Sequence, residues 1–401
     1  MGLGALVIAD LVLAFSRASA STLYVASYGG TVSTLSLSGN ALVSKSVNTH
    51  CGSASNHAPT WLKLDKTNKV LYCLGEDRLI NSFKTSVDGA LSFIDQKATI
   101  KGPVSSIFFN DNVAIALAHY DGSSISTWSK SPSGTIAPIQ NITFTPATSG
   151  LNPDRQAAPH EHEAILDPIS HFLLFPDLGA DLVRVFSFNL STSLLSAHDP
   201  LKAALGSSLR HAVFWSPETP YTQGIPLFFF LIAELSNAIT SYSVTYPKSG
   251  GLAFTEVQKV TTFGGKPVPS TAAAAGIVVS PDNKFILNSN RMDYSFITAS
   301  PDPTNSTEIA SNSIAVWKPN AIGILEFPNA IGILEFVQLA LAGGTGPRYF
   351  SFNAAGDIVS VGLQLSENVA IIKRDVKTGK LGDIVANLAG GGAITNVIWD
   401  Q

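Results

Sequence analysis

The chain has 401 residues, 45% of them hydrophobic and 13% charged, with a net charge of -4. So little charge, and of that sign, excludes a basic surface able to neutralise nucleic-acid phosphates, and no block of like charge marks a disordered tail. A chain this long divides into domains unless it is built from repeats that each pack only on their neighbours.

In chain order, residues 1–20 (MGLGALVIADLVLAFSRASA) hold an apolar run ending in Ala18-Ser19-Ala20, a small-x-small pattern before Ser21, and are predicted to be a signal peptide. No Lys or Arg precedes the run. Asp10 and Arg17 deny it the length of a membrane span. The expected location is extracellular, or the cytoplasm if the leader does not function. Export agrees with sequons at Asn141, Asn189 and Asn305, expected as glycosylation sites on turns or outer strands. Cys51 and Cys73 are near enough to bridge within one repeat in an oxidising compartment, two buried thiols being the alternative.

From Ser21 on, short apolar runs recur, separated by Gly, Asp and Pro turns. They begin with LYVASYGGTVSTLSL, then WLKLD with VLYCLGEDRLINSF, then SIFFN with AIALAHYDGSSISTW. The fourth copy is PHEHEAILDPISHFLLFPDLGADLVRVFSF, from Pro159 to Phe188. Later copies start at Arg210 (RHAVFWSP), Gly276 (GIVVSPD) and Arg348 (RYFSF). Residues 21–401 divided by seven give units of about 54 residues, which fits four-stranded propeller blades with loop insertions. The expected fold is therefore all-β, a seven-bladed β-propeller in a single domain over 21–401. The short N-terminal unit and the C-terminal run Ala393–Trp399 are expected to pair and close the ring. One irregularity stands out: Pro319–Phe327 (PNAIGILEF) is followed at once by an identical copy, Pro328–Phe336, of which one is expected to be strand and the other a loop.

Aligning the units places His162, Arg210 and Arg348 just before the first strands of blades four, five and seven. Asp177, Glu234, Asn290-Arg291 and Gln364 fall just after second strands, and His119 is aligned with them. Both registers lie on one face of a disc, so residues far apart in sequence converge on a central funnel. Antiparallel pairing within the fourth unit brings His162 beside Asp177. Polar turn residues are often only solvated caps, but cations opposed by acids at matched positions suit a small anionic substrate, because Arg binds carboxylate or phosphate bidentately. His162 or Glu234 would then move protons. His160 and His162 have the spacing of weak metal ligands, with Asp177 or Glu163 as a third; the preferred reading is neither metal nor cofactor. Asp181 and Arg184 read as packing or ion-pair residues. The turns contain no G-x-S-x-G and no G-x-G-x-x-G opening a helix, which disfavours serine-hydrolase and nicotinamide chemistry.

The phrases PHEHEAILDP, FPDLGADLVRVFSF, LRHAVFWSP, AELSNAITSY, VVSPDNKFILNSNR and GPRYFSFNAAGDIVSVGLQLSENVAIIKRD together resemble the seven-bladed lactonase family, which includes 6-phosphogluconolactonases and carboxymuconate cyclases. The leader, the Cys51/Cys73 pair and the HEHEAILDP wording look closer to the cyclases. That resemblance implies a cofactor-independent isomerase lactonizing 3-carboxy-cis,cis-muconate or a similar polycarboxylate, with catalytic roles for His162, Arg210, Glu234 and Arg291. Arg348, Asp177, Gln364 and His160 are expected to bind substrate. The insertion Glu218–Pro226 is expected to lengthen the approach to Glu234, and the duplicated nonapeptide to distort the blade after Arg291. The alternatives are hydrolysis of a sugar lactone such as 6-phosphogluconolactone, and a secreted propeller glycoprotein without catalysis.

Overall fold

The computed structural model describes residues 20–52, 58–145, 149–320 and 332–401. Among these, strands form seven four-stranded antiparallel sheets arranged as the blades of a propeller, and no helix is long and apolar enough to cross a membrane. Residues 1–19, most of the predicted leader, lie outside the described residues.

The second strand of each blade explains the long apolar runs of the sequence. Val70–Gly75, Ala114–His119, Phe172–Asp177 and Leu227–Ala233 are buried along their whole length. One face of such a strand meets the preceding blade and the other meets the following one, so alternation of apolar and polar residues is lost. Seven apolar clusters result, one at each interface between neighbouring blades.

Blade one takes its inner strand, Ile394–Trp399, from the C-terminus and its other three, Ser21–Ser27, Thr31–Ser38 and Ala41–Asn48, from the N-terminal unit. Leu23 faces Trp399 and Val25 faces Val397 across this seam, as expected for ring closure. Cys51 and Cys73, with Cα atoms 6.0 Å apart, form a disulfide that ties the connection between blades one and two to the second strand of blade two. Asn141 lies on the outer strand of blade three, Asn189 on a turn of blade four and Asn305 beyond the strand Phe296–Ala299, all exposed.

The insertion and the described ends of the duplicated segment lie on the face away from Glu234 and Arg291. The insertion Glu218–Pro226 joins Trp215 to Leu227, whereas Glu234 follows the opposite end of that hairpin, where Leu209 pairs with Ala233. It therefore does not lengthen the approach to Glu234. In blade six, Arg291 pairs with Ala273 at one end, while Asn320 pairs with Ile333 beyond Trp317 at the other. Pro319-Asn320 of the first nonapeptide ends one strand, and Ile333–Phe336 of the second begins the next; residues 321–331 lie outside the described residues. The feature that does rise beside Arg291 is a two-stranded hairpin, Phe296–Ala299 with Glu308–Ser311, which the sequence pattern did not announce.

Removing residues 394–401 opens the edge of Ser21–Ser27 and takes buried Ile394, Val397 and Trp399 out of their cluster. Each such side chain is worth about 1.5–3 kcal/mol, against a total stability of about 5–15 kcal/mol. The truncated chain is expected to lose its cooperative melting transition by circular dichroism and to elute as aggregate in size-exclusion chromatography.

Candidate functional site

Every inner strand carries a surplus residue near the same mouth of the ring. Pairing with the second strand skips Thr60 in blade two, Val104 in three, Arg210 in five, Arg348 in seven and Thr395 in one. In blade six, Ala275 and Gly276 oppose Ser289 alone. In blade four, one more residue separates Glu161 from Ile165 than separates Leu174 from Asp177. A bulge of this kind turns a side chain out of the strand's regular alternation. Arg210 and Arg348 thus occupy equivalent bulges inside the inner strands Leu209–Trp215 and Pro347–Phe352, not positions before them as the sequence alignment placed them.

The bulge at Arg210 also lets its neighbour His211 reach the axis. The His211 ring lies edge-on to His162 of blade four at 5.1 Å, to Trp61 of blade two at 5.9 Å and to Tyr349 of blade seven at 6.3 Å. Four blades therefore meet in one aromatic floor, completed by Trp61 against Tyr349 at 4.7 Å. Arg210 Nη1 lies 3.5 Å from His211 Nε2, so this nitrogen is the acceptor and the ring proton belongs on Nδ1. Beneath the floor, Glu163 accepts a hydrogen bond from the Ala212 N–H at 2.7 Å, and burial pushes its carboxyl up to about 8.

Above the floor stands Glu234, buried among guanidiniums. Arg155 Nη2 donates to Oε1 at 2.6 Å; Arg210 Nε and Arg291 Nη2 approach Oε2 to 3.1 and 2.8 Å. Burial alone would raise the Glu234 carboxyl, but Arg291, Arg210 and Arg155 together hold it at about 2. Arg348, over the Tyr28 ring at 5.3 Å, adds to the field felt by Arg210, His162 and His211. His162 and His211 are held well below the usual imidazole value, first by burial and then by these cations. The buried polar atoms are not used up: Arg210 Nε, Arg291 Nε and Nη2, and His162 Nδ1 have no aligned hydrogen bond, whereas His211 Nδ1 faces Glu163 at 4.0 Å. Such orphaned groups are costly in a folded protein, and here they converge on one cup.

His162, Arg210, Glu234 and Arg291 are thus brought together, with Arg348 close by. Asp177 is not available to a substrate. Its Oδ1 accepts from the N–H groups of His160, Gly179 and Ala180, and its Oδ2 pairs with Arg184 at 2.6 Å. Arg184 also binds Glu161 at 2.8 Å, and Asp181 accepts from the Gly206 and Ser208 N–H groups, so these residues hold the turn that carries His162. That turn fits tightly, because a Cβ at Gly179 would fall 1.7 Å from the Ala158 carbonyl oxygen. His160 donates from Nδ1 to the Tyr120 carbonyl at 2.7 Å and stacks on the Tyr120 ring at 4.2 Å, which makes it a wall residue. Gln364 follows the second strand of blade seven, half-buried, with its N–H bonded to Gly346. Sequence reasoning missed Arg155, His211 as a site residue, Tyr28, Trp61 and Tyr349. His211 was visible beside Arg210, but strand alternation argues that neighbours face opposite ways; Arg155 sits in a connection with no repeat to align it.

Residues 20–399 match the family described as lactonase, seven-bladed β-propeller. The chain is 27% identical over 352 residues to a protein of Arthroderma benhamiae named "Probable 6-phosphogluconolactonase", covering 85% of this chain and 82% of that one. It is 27% identical to the 6-phosphogluconolactonase of Formosa agariphila, covering 83% and 86%, and 24% identical to that of Bacillus subtilis, covering 80% and 82%. Among solved structures, the periplasmic gluconolactonase of Pseudomonas aeruginosa aligns with a TM-score of 0.74 at 21% identity, over 95% of this chain and 99% of that one; at this identity the likeness shows the fold. The names of these relatives overturn the expectation of a carboxymuconate cyclase, which rested on the leader, the Cys51/Cys73 pair and the local wording HEHEAILDP.

The depressed imidazoles predict a direction for stability. In the unfolded chain a histidine takes up its proton near 6.5, whereas buried His119, bonded to Ser126 and the Ile100 carbonyl, does so only near 4. Between these values the unfolded state binds more protons, so stability is full above pH 6.5 and is lost as pH falls toward 4. His119 alone contributes on the order of 3 kcal/mol, at about 1.4 kcal/mol per tenfold change in proton affinity, and His162 and His211 add to it. Urea unfolding at pH 7 and pH 4.5 checks this; equal midpoints would contradict it.

Proposed function

The chain belongs to the lactonase family of seven-bladed β-propellers, and on that premise we propose that it hydrolyses a small anionic sugar lactone of the 6-phosphogluconolactone type. The observation that carries this reading is the neutral, buried imidazole of His162 within the field of Arg210, Arg348 and Arg291. Lactone opening needs a base for water and a cationic seat for the carbonyl oxygen, and this cup holds both.

In the proposed reaction, His162 accepts a proton from water as the water oxygen bonds to the lactone carbonyl carbon. The carbonyl electron pair moves onto its oxygen, where Arg210 and Arg291 present N–H groups not aligned on Glu234. The tetrahedral intermediate then collapses, the ring C–O bond breaks, and the departing alkoxide takes the proton back from the His162 imidazolium. The product is the open hydroxy acid, whose carboxyl proton passes to solvent. His162 returns its proton readily because burial, and then the surrounding guanidiniums, disfavour an imidazolium. Glu234, held ionised by its three arginines, serves as their internal counter-ion and fixes Arg210 and Arg291 in place. It is a positioning group in this scheme, not the proton carrier the sequence left open.

Release of acid from 6-phosphoglucono-δ-lactone, followed in a pH-stat against the spontaneous rate, tests the proposal. Arg210→Ala is expected to lower kcat by about 10²–10³, as for loss of an oxyanion donor, and His162→Ala by about 10²–10⁴. The acid limb of kcat/KM is expected below pH 6.5, because the rate falls only where His162 becomes protonated. Spontaneous-rate hydrolysis by the folded wild type would sink the proposal.

A further inference from the structure

The guanidiniums around Glu234 differ in how they are held. Arg210 and Arg291 come from strands, with side chains 2% and 14% exposed. Arg155 comes from the connection between blades three and four, and its side chain is 38% exposed. Its backbone is nonetheless anchored. Its own N–H donates to the Asn152 carbonyl at 3.0 Å, and neighbouring Gln156, fully buried, bonds to the Leu178 carbonyl at 3.0 Å and to the Asn152 N–H at 3.1 Å. The side chain therefore pivots on a fixed base at the rim, with Nη2 on Glu234 Oε1 at 2.6 Å and 3.5 Å from the Tyr120 hydroxyl. Glu234 does not depend on that contact alone, since Arg210 and Arg291 attend its other oxygen. Of the three, only Arg155 can leave the carboxylate without itself remaining a deeply buried cation, and Arg210 and Arg291 still attend Glu234 when it does.

Resting on the lactonase reading above, we propose that Arg155 is the specificity residue for the substrate's distal anionic group: Glu234 holds it at the rim in the ligand-free cup, and an entering phosphate-like dianion takes it over. A dianion competes well for this side chain, because a guanidinium can bind two of its oxygens in parallel, whereas Glu234 offers Arg155 one oxygen. The exchange keeps the number of ion pairs constant while tying the ligand to the wall formed by Tyr120 and stacked His160. A neutral sugar lactone gains nothing from it. Arg155 is thus assigned to substrate choice and not to the bond-making step, which lies with His162, Arg210 and Arg291 deeper in the cup.

Isothermal titration of inorganic phosphate into the wild type, Arg155→Gln and Arg155→Lys at low salt and pH 7.5 tests the exchange without any turnover. The Gln variant is expected to weaken phosphate binding about 10- to 100-fold, the range for loss of a charge-assisted contact, and the Lys variant to recover part of it. A wild type that binds no phosphate, or a Gln variant that binds it equally well, overturns the proposal. In parallel, the ratio of kcat/KM for 6-phosphoglucono-δ-lactone to that for glucono-δ-lactone is expected to fall by a similar factor in Arg155→Gln, mostly through KM. An unchanged ratio also overturns the assignment. If the wild type hydrolyses neither lactone, the reaction assigned to the cup fails, while the phosphate titration still decides the role of Arg155.

Discussion

The pairing of Ser21–Ser27 with Ile394–Trp399 is the constraint from which the rest follows. A sheet in this fold is stable only when both faces meet a neighbour, and closing the ring gives the first and last units the neighbours that the chain order denies them. Closure also fixes direction. Once every blade runs outward from the axis in the same sense, all inner strands start at one mouth, and residues as distant in sequence as Trp61 and Tyr349 come into contact.

That geometry is used to concentrate charge where the fold would otherwise exclude it. Placing Arg210, Arg291 and Arg155 around a single buried carboxylate desolvates cations that gain only partly from their partner. The rigid ring tolerates this cost because the seven interfaces between blades hold it regardless of what occupies the axis. The electrostatic consequence is chemical: burial first, and then cations that repel a proton, keep His162 unprotonated, and the same cations await an anionic ligand. One cluster of guanidiniums thus lowers the proton affinity of both a histidine and a carboxyl, adding to burial at His162 and overcoming it at Glu234. Glu163, out of reach of most of that field and dominated by burial, moves the opposite way.

Much of this was legible beforehand. The apolar runs and their turns carried the seven units, and matched positions in those units picked out His162, Arg210, Glu234, Arg291 and Arg348. Repeat alignment works for such residues because radial symmetry converts equal register into equal position. It fails in three ways here. Asp177 occupies the proper register, yet backbone N–H groups and Arg184 consume its carboxylate, and nothing in a linear pattern distinguishes a satisfied acid from a free one. His211 was hidden because bulges have no sequence signature and reverse the expected side of a neighbour. Arg155 was hidden because connections lie outside the repeat. The insertion and the duplicated nonapeptide were read as threats to the site, but strand polarity carries the insertion and the described ends of the duplication to the far face.

The amino-acid sequence by itself determined the strand-turn rhythm, the number of units and the need for the two ends to meet, since these depend on local apolarity and on the rule that buried sheet edges must be paired. It also determined which residue types stood at equivalent positions. Only the tertiary structure decided which of them share a cup, which proton-binding groups are neutral there, and that Arg155 belongs among them. Those properties depend on distances and burial across blades, and such quantities come into being when the ring closes.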